Sequence, residues 1–72
     1  MKNKNKIKII LNGKSTTLDL GISVKKLIEN LNFPLNKIAI EINKEIINKK
    51  RIKKIFLKND DKVEIVHFIG GG

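Results

Sequence analysis

The sequence predicts a small layered α+β domain, with one main helix lying across one face of a β-sheet. Three observations carry that prediction. Apolar and polar residues alternate in separate segments near residues 6–11, 38–42 and 63–68. Between them, residues 24–31 instead repeat apolar side chains at i, i+3, i+4 and i+7. Turn-forming pairs such as Asn12-Gly13 punctuate the chain. A sheet apolar on one face and a helix apolar along one stripe must bury those surfaces against each other.

The elements follow in order. Ile7, Ile9 and Leu11 alternate with Lys6 and Lys8, the period-two signature of a half-buried strand. Asn12-Gly13 then supplies the two positive-φ residues of a type I′ turn, and Ser15 to Leu20 resumes the alternation with Leu18 and Leu20 on one face. Ser23 is placed to cap a helix of about ten residues, whose stripe is Val24, Leu27, Ile28 and Leu31. Pro34 disfavours a helical Phe33, so this helix stops near Asn32.

Ile38, Ile40 and Ile42 form a third strand, and Asn43-Lys44 turns into a short apolar pair, Ile46-Ile47. Asn48 to Lys54 is polar and reads as a surface loop anchored by Ile52, Ile55 and Leu57; its basic residues Lys49, Lys50, Arg51, Lys53 and Lys54 read as a solvated face. Asn59-Asp60-Asp61 marks a further turn before the last strand, Val63 to Phe68. The helix is expected to cover Ile7, Ile9, Leu18, Leu20, Ile40, Val63 and Ile65. Val66 and Phe68 then point to the other side, which a strand central in its sheet tolerates. With Ile10 they define an uncovered apolar patch of the kind that marks partner sites.

Composition narrows the function. The chain has 72 residues and no cysteine, so a disulfide framework, a thiolate metal site and a cysteine nucleophile are excluded. Its single histidine, His67, reads as a strand residue near a sheet edge or interface, and no Ser-His-Asp set, His pair or GxxxxGK loop accompanies it. An enzyme in its own right is not expected, nor is a bound metal or cofactor. No apolar run approaches the roughly 20 residues needed to span a bilayer. The basic start, Met1 to Lys6, leads into a stretch broken by Lys8, so a cytoplasmic location is the expectation.

The formal charge of +9 favours acidic partners, but Lys, Ile and Asn make up 38 of the 72 residues, a bias that AT-rich coding imposes on any protein. The three aromatics are phenylalanines, and Phe33 and Phe56 sit beside apolar residues as core packing would place them; a basic nucleic-acid-binding module, which needs exposed rings, is the weaker alternative.

The most informative feature is Gly70-Gly71-Gly72, after an apolar strand. Glycine offers no side chain to anchor a tail, so residues 1–68 are expected to form one domain and 69–72 a flexible tail. Such a tail is thin enough to enter a narrow active site and deliver the Gly72 carboxylate; four extended residues from Ile69 reach roughly 13 Å.

The strand, Asn-Gly turn, strand and helix pattern, the stretch Ile38 to Ile47 and the ending Asp61-Lys62-Val63-Glu64-Ile65-Val66-His67-Phe68-Ile69-Gly70-Gly71-Gly72 resemble the ubiquitin-like sulfur carrier protein of thiamine thiazole biosynthesis, the ThiS type. The resemblance covers nearly the whole chain, and its specific part is the Val-Glu-Ile-Val strand leading to the glycines. It implies a β-grasp (ubiquitin-like) fold with a mixed sheet of four to five strands. It further implies adenylation of the Gly72 carboxylate by an E1-like adenylating enzyme using ATP and magnesium, conversion to a thiocarboxylate with sulfur from a donor protein, and delivery to thiazole synthase. Gly70 and Gly71 would enter the partners' active sites, and Val66, Phe68 and Ile69 would form the partner-binding surface of a carrier that is monomeric when free.

This chain departs from the family pattern at Asn43-Lys44, where Asn-Gly is usual, at Asn48-Lys49 in place of Pro-Arg, and at Asn59-Asp60-Asp61 in place of Asp-Gly-Asp. The small subunit of molybdopterin synthase, with the same fold and tail chemistry, is the nearest rival. A protein modifier joined to target lysines is another.

Overall fold

The computed structural model describes residues 5–68. Strands β1 (Lys6–Leu11) and β2 (Lys14–Asp19) form a hairpin, followed by helix α1 (Val24–Leu31), strands β3 (Ile38–Ile42) and β4 (Glu45–Ile46), and strand β5 (Lys62–His67). The sheet order is β2-β1-β5-β3-β4. β5 runs parallel to β1 and antiparallel to β3, so the sheet is mixed and the last strand in sequence is the central one. This is the α+β, β-grasp arrangement expected from the sequence, with five strands.

Local chemistry explains the elements. Asn12 and Gly13 have φ of 48° and 84°, as a type I′ turn requires. The Ser23 hydroxyl accepts a hydrogen bond from the Lys26 N–H at 3.1 Å, and Asn32 ends the helix in the left-handed conformation. The helix has eight residues, two fewer than expected, because Asn32 closes it ahead of Pro34. Asn43 and Lys44, at φ 51° and 72°, make the same kind of turn as Asn12-Gly13 without a glycine. Asp60 keeps its turn at φ 72°.

The core is a layer of branched aliphatics between helix and sheet: Ile7 and Ile9 of β1, Ile38, Ile40 and Ile42 of β3, and Val63 and Ile65 of β5 against Val24, Leu27 and Ile28. β-branched side chains suit the pleated surface, so an isoleucine-rich composition serves this core well.

Other expectations about the fold need correction. Leu20 is 58% exposed, because β2 ends at Asp19 and Gly21, at φ 87°, swings the chain away; Ile22 takes the buried place. Phe56 is 57% exposed, because Ile55 and Leu57 on either side bond to Val24 and Ile22 and turn inward. Residues Lys49–Lys54 form a 3-10 helix rather than a loop, capped by the Asn48 side chain and pinned by buried Ile52. Lys49 is half-buried, not solvated, its ammonium donating to the Leu35 and Ile38 carbonyls at 3.0 and 2.8 Å. β4 pairs through Glu45 and Ile46, one residue earlier than Ile46-Ile47, because the two-residue turn at Asn43-Lys44 fixes the register.

Candidate functional site

The candidate site is the sheet face that α1 leaves uncovered. Alternation along β5 sends Val63 and Ile65 into the core and Glu64 and Val66 outward, and Phe68 continues the outward row. Val66 is 56% exposed and Phe68 48%. Across the β3–β5 ladder Ala39 lies opposite Val66, and Glu41 opposite Glu64. Ile46, opposite Glu41 on β4, is 77% exposed, and Ile10 of β1 is half-buried. The apolar patch expected around Val66 and Phe68 is therefore present, and Ala39 and Ile46 extend it. Ile10, expected to join it, lies instead beside Lys62 toward the other end of β5, because the parallel register sets it four residues from Val66 with Glu64 between them. A shallow depression of about 150 Å³ lies within it, lined by Ala39, Ile40, Glu41, Ile46, Glu64 and Val66.

The end of β5 is firmly held. The Phe68 N–H donates to the Lys37 carbonyl at 2.7 Å, continuing the ladder one residue beyond the strand. His67, opposite Ile38, sits at the end of the central strand rather than near a sheet edge, with its ring 5.8 Å from that of Phe33. Of the residues expected to act, Ile69, Gly70, Gly71 and Gly72 lie outside the described residues.

Asparagine side chains hold β5, a role not evident from the sequence. Where β1 turns away, the Asn12 carboxamide takes over its ladder, accepting from the Ile65 N–H at 2.8 Å, while the Asn12 N–H donates to the Val63 carbonyl. Asn43 accepts from the Lys62 N–H at 2.9 Å and donates to the Asp61 carboxylate at 3.0 Å. Asn59 accepts from the Lys8 N–H at 2.8 Å. The sequence offers one signal for these clamps, that each asparagine stands in or beside a turn.

Two carboxylates have ammonium partners. A hydrogen bond from Lys6 and its charge hold Asp19 below the ordinary carboxylate range, and Lys25 does the same for Glu29 one helical turn away. Neither Glu41 nor Glu64 has an ion-pair partner among the described residues. Among those residues no group of three or more His, Cys, Asp or Glu is arranged to hold a metal. No helix there is long and apolar enough to cross a membrane.

A larger groove of about 440 Å³ opens beside Asn43, Phe56 and Asp61 and shares Ile46 with the smaller depression. Asp61 is committed there to Asn43 and to the Lys58 N–H, which confirms a turn-forming role.

Comparison with known proteins agrees with this geometry. The family model described as the ThiS family matches residues 7–72. The crystal structure of the thiamine biosynthesis protein ThiS from Geobacter metallireducens superposes with a TM-score of 0.78 at 28% identity, covering 92% of this chain and all of that one. The sulfur carrier protein ThiS of Bacillus subtilis is 58% identical over 38 residues, 51% of this chain and 58% of its own length. A thiazole synthase of Magnetococcus marinus is 38% identical over 66 residues, 92% of this chain. The chain spans only 20% of the length of that protein, and the same share of a second matching thiazole synthase.

Proposed function

Because this chain belongs to the ThiS family, we propose that it is the sulfur carrier of thiamine biosynthesis and that its reactive group is the carboxylate of Gly72. The observation that carries this reading is the match of fold and sequence through the strand that leads into the glycines. A carboxylate is a poor electrophile. Attack of its oxygen on the α-phosphorus of ATP, with release of pyrophosphate, makes an acyl-adenylate; hydrosulfide sulfur then attacks the acyl carbon and AMP leaves, giving the thiocarboxylate. An E1-like adenylating partner supplies ATP, magnesium and the transfer machinery, and a sulfur-donating protein supplies the sulfur. Thiazole synthase is the acceptor. The thiazole synthases in which a fifth of the length resembles this chain support that pairing, and with it thiazole rather than pterin as the product.

In this reading the chain supplies two things, a docking face and a tail. Val66, Phe68 and Ile69 bear on the partner, and Gly70 and Gly71 pass through its narrow entrance. Ordering three or four tail residues costs on the order of 1–2 kcal/mol each, so binding at a separate surface has to offset it.

Incubation with the adenylating enzyme, ATP, magnesium and a sulfur source should replace one terminal oxygen by sulfur, read by intact-protein mass spectrometry. A residue added after Gly72 displaces the carboxylate from the nucleotide, and Gly71→Val widens the tail; both variants should keep the fold and lose adenylation. Full thiocarboxylate formation by a variant lacking Gly71 and Gly72 would refute the proposal.

A further inference from the structure

The uncovered face carries an electrostatic anomaly. In a chain of formal charge +9, Glu41 and Glu64 stand directly opposite each other on adjacent strands, and neither has an ion-pair partner among the described residues. Their closeness follows from the ladder. The Asn43 N–H donates to the Lys62 carbonyl and the Phe68 N–H to the Lys37 carbonyl. Alternation therefore makes Glu41 and Glu64 a hydrogen-bonded pair, with Cα atoms about 5.5 Å apart. Like charges placed so are destabilising, and lysine, the commonest residue here, would relieve the repulsion at either position. Within the described residues the pair has no ion-pair contact of its own to offset that repulsion.

The surroundings supply the complement. Both glutamates line the same depression of about 150 Å³ as Ala39, Ile46 and Val66, so carboxylates stand beside an apolar floor. That combination matches one kind of side chain, an aliphatic stem ending in a cation. A guanidinium presents a planar fork of donors able to engage two carboxylates at once, while its methylenes lie along apolar surface. Resting on the docking reading above, we infer that this depression receives an arginine side chain from the adenylating enzyme, and that Glu41 and Glu64 are the polar determinants of docking on an otherwise apolar patch.

The test is binding of the full chain to its adenylating enzyme in the presence of ATP, by calorimetry at about 50 mM and about 500 mM salt. Glu41→Gln/Glu64→Gln preserves shape and hydrogen-bonding capacity and removes the repulsion, so its Tm should equal or exceed that of the parent. At low salt its Kd should rise at least about tenfold, with most of the difference lost at high salt. Glu64→Gln alone should show a smaller shift in the same direction. Val66→Ser separates the two levels of the argument. Weaker binding by Val66→Ser with no change in the double variant at either salt would overturn the arginine site and leave the docking face standing. Unchanged binding by both variants would overturn the docking face itself, and the arginine site with it.

Discussion

Ile65 and Val66 are neighbours of similar size and hydrophobicity, yet one is 7% exposed and the other 56%. The covered face of the sheet is a layer of aliphatic side chains under α1 with no charged group in it. The opposite face mixes Ala39, Val66 and Phe68 with two glutamates and stays open. Apolar character alone therefore does not say what a residue is for. On the covered face it supplies folding free energy; on the open face, in the docking reading proposed above, it is surface for a partner.

The sharpest test of that contrast is a pair of adjacent substitutions. Ile65→Ala should cost about 2–5 kcal/mol by leaving a cavity in the core, comparable with the roughly 5 kcal/mol that holds a small domain together. Val66→Ser should stay within about 0.5 kcal/mol. Urea denaturation measures both, and similar values would abolish the distinction between the faces.

The asparagine clamp should give the next largest effect. Asn12→Ala leaves the Ile65 N–H without its acceptor and forces a Cβ without a helpful side chain into positive φ, an expected loss of about 1–3 kcal/mol. Asn12→Gly relaxes the turn but still removes the clamp, so faster exchange of the Ile65 amide in both variants would isolate the hydrogen bond from the backbone effect.

Much of this was legible in the sequence, and what escaped has a physical pattern. The strands, the helix and the turn at Asn12-Gly13 were readable because they depend on local periodicity and backbone preference. The exposure of Val66 and Phe68 followed from alternation in a strand apolar on both sides. Phe56 was misread because its direction depends on bonds to Ile22 and Val24, more than 30 residues away. The 3-10 helix at Lys49–Lys54 was missed because a short basic segment with a single buried residue, Ile52, shows no period. The carboxamide clamps and the Glu41–Glu64 pairing were invisible for one reason: they exist only once the register of β5 against β1 and β3 is set.

Two smaller predictions probe the rims of the two faces. Lys44 adopts φ 72° in a turn where a glycine would be unstrained. Lys44→Gly should stabilise the β3–β4 hairpin, and with it the edge of both faces, by about 0.5–1 kcal/mol, the strain relieved less the entropy added to the unfolded chain; thermal denaturation would register it as a raised Tm. The exposed pairs Lys6–Asp19 and Lys25–Glu29 should matter least. Their carboxylates have pKa values lowered below the ordinary 3.8 and 4.5. A lowered folded-state pKa means that the contribution is fully present above those values and is lost as pH falls through the folded-state pKa. A small acid-side decline should follow, and it should vanish in Lys6→Met/Lys25→Met and in about 0.5 M salt.

The position of β5 has a consequence for biosynthesis. The fifth strand in order of synthesis joins the two hairpin regions, β1–β2 on one side and β3–β4 on the other. Neither region can bury its apolar face fully until that strand arrives, and the β1–β5 pairing closes a loop of some 50 residues, a non-local step of the kind that slows folding. A nascent chain halted before Lys62 lacks the centre of its sheet. Completion of the fold and formation of the open sheet face are thus a single event, so a truncated product lacks the surface proposed above for docking.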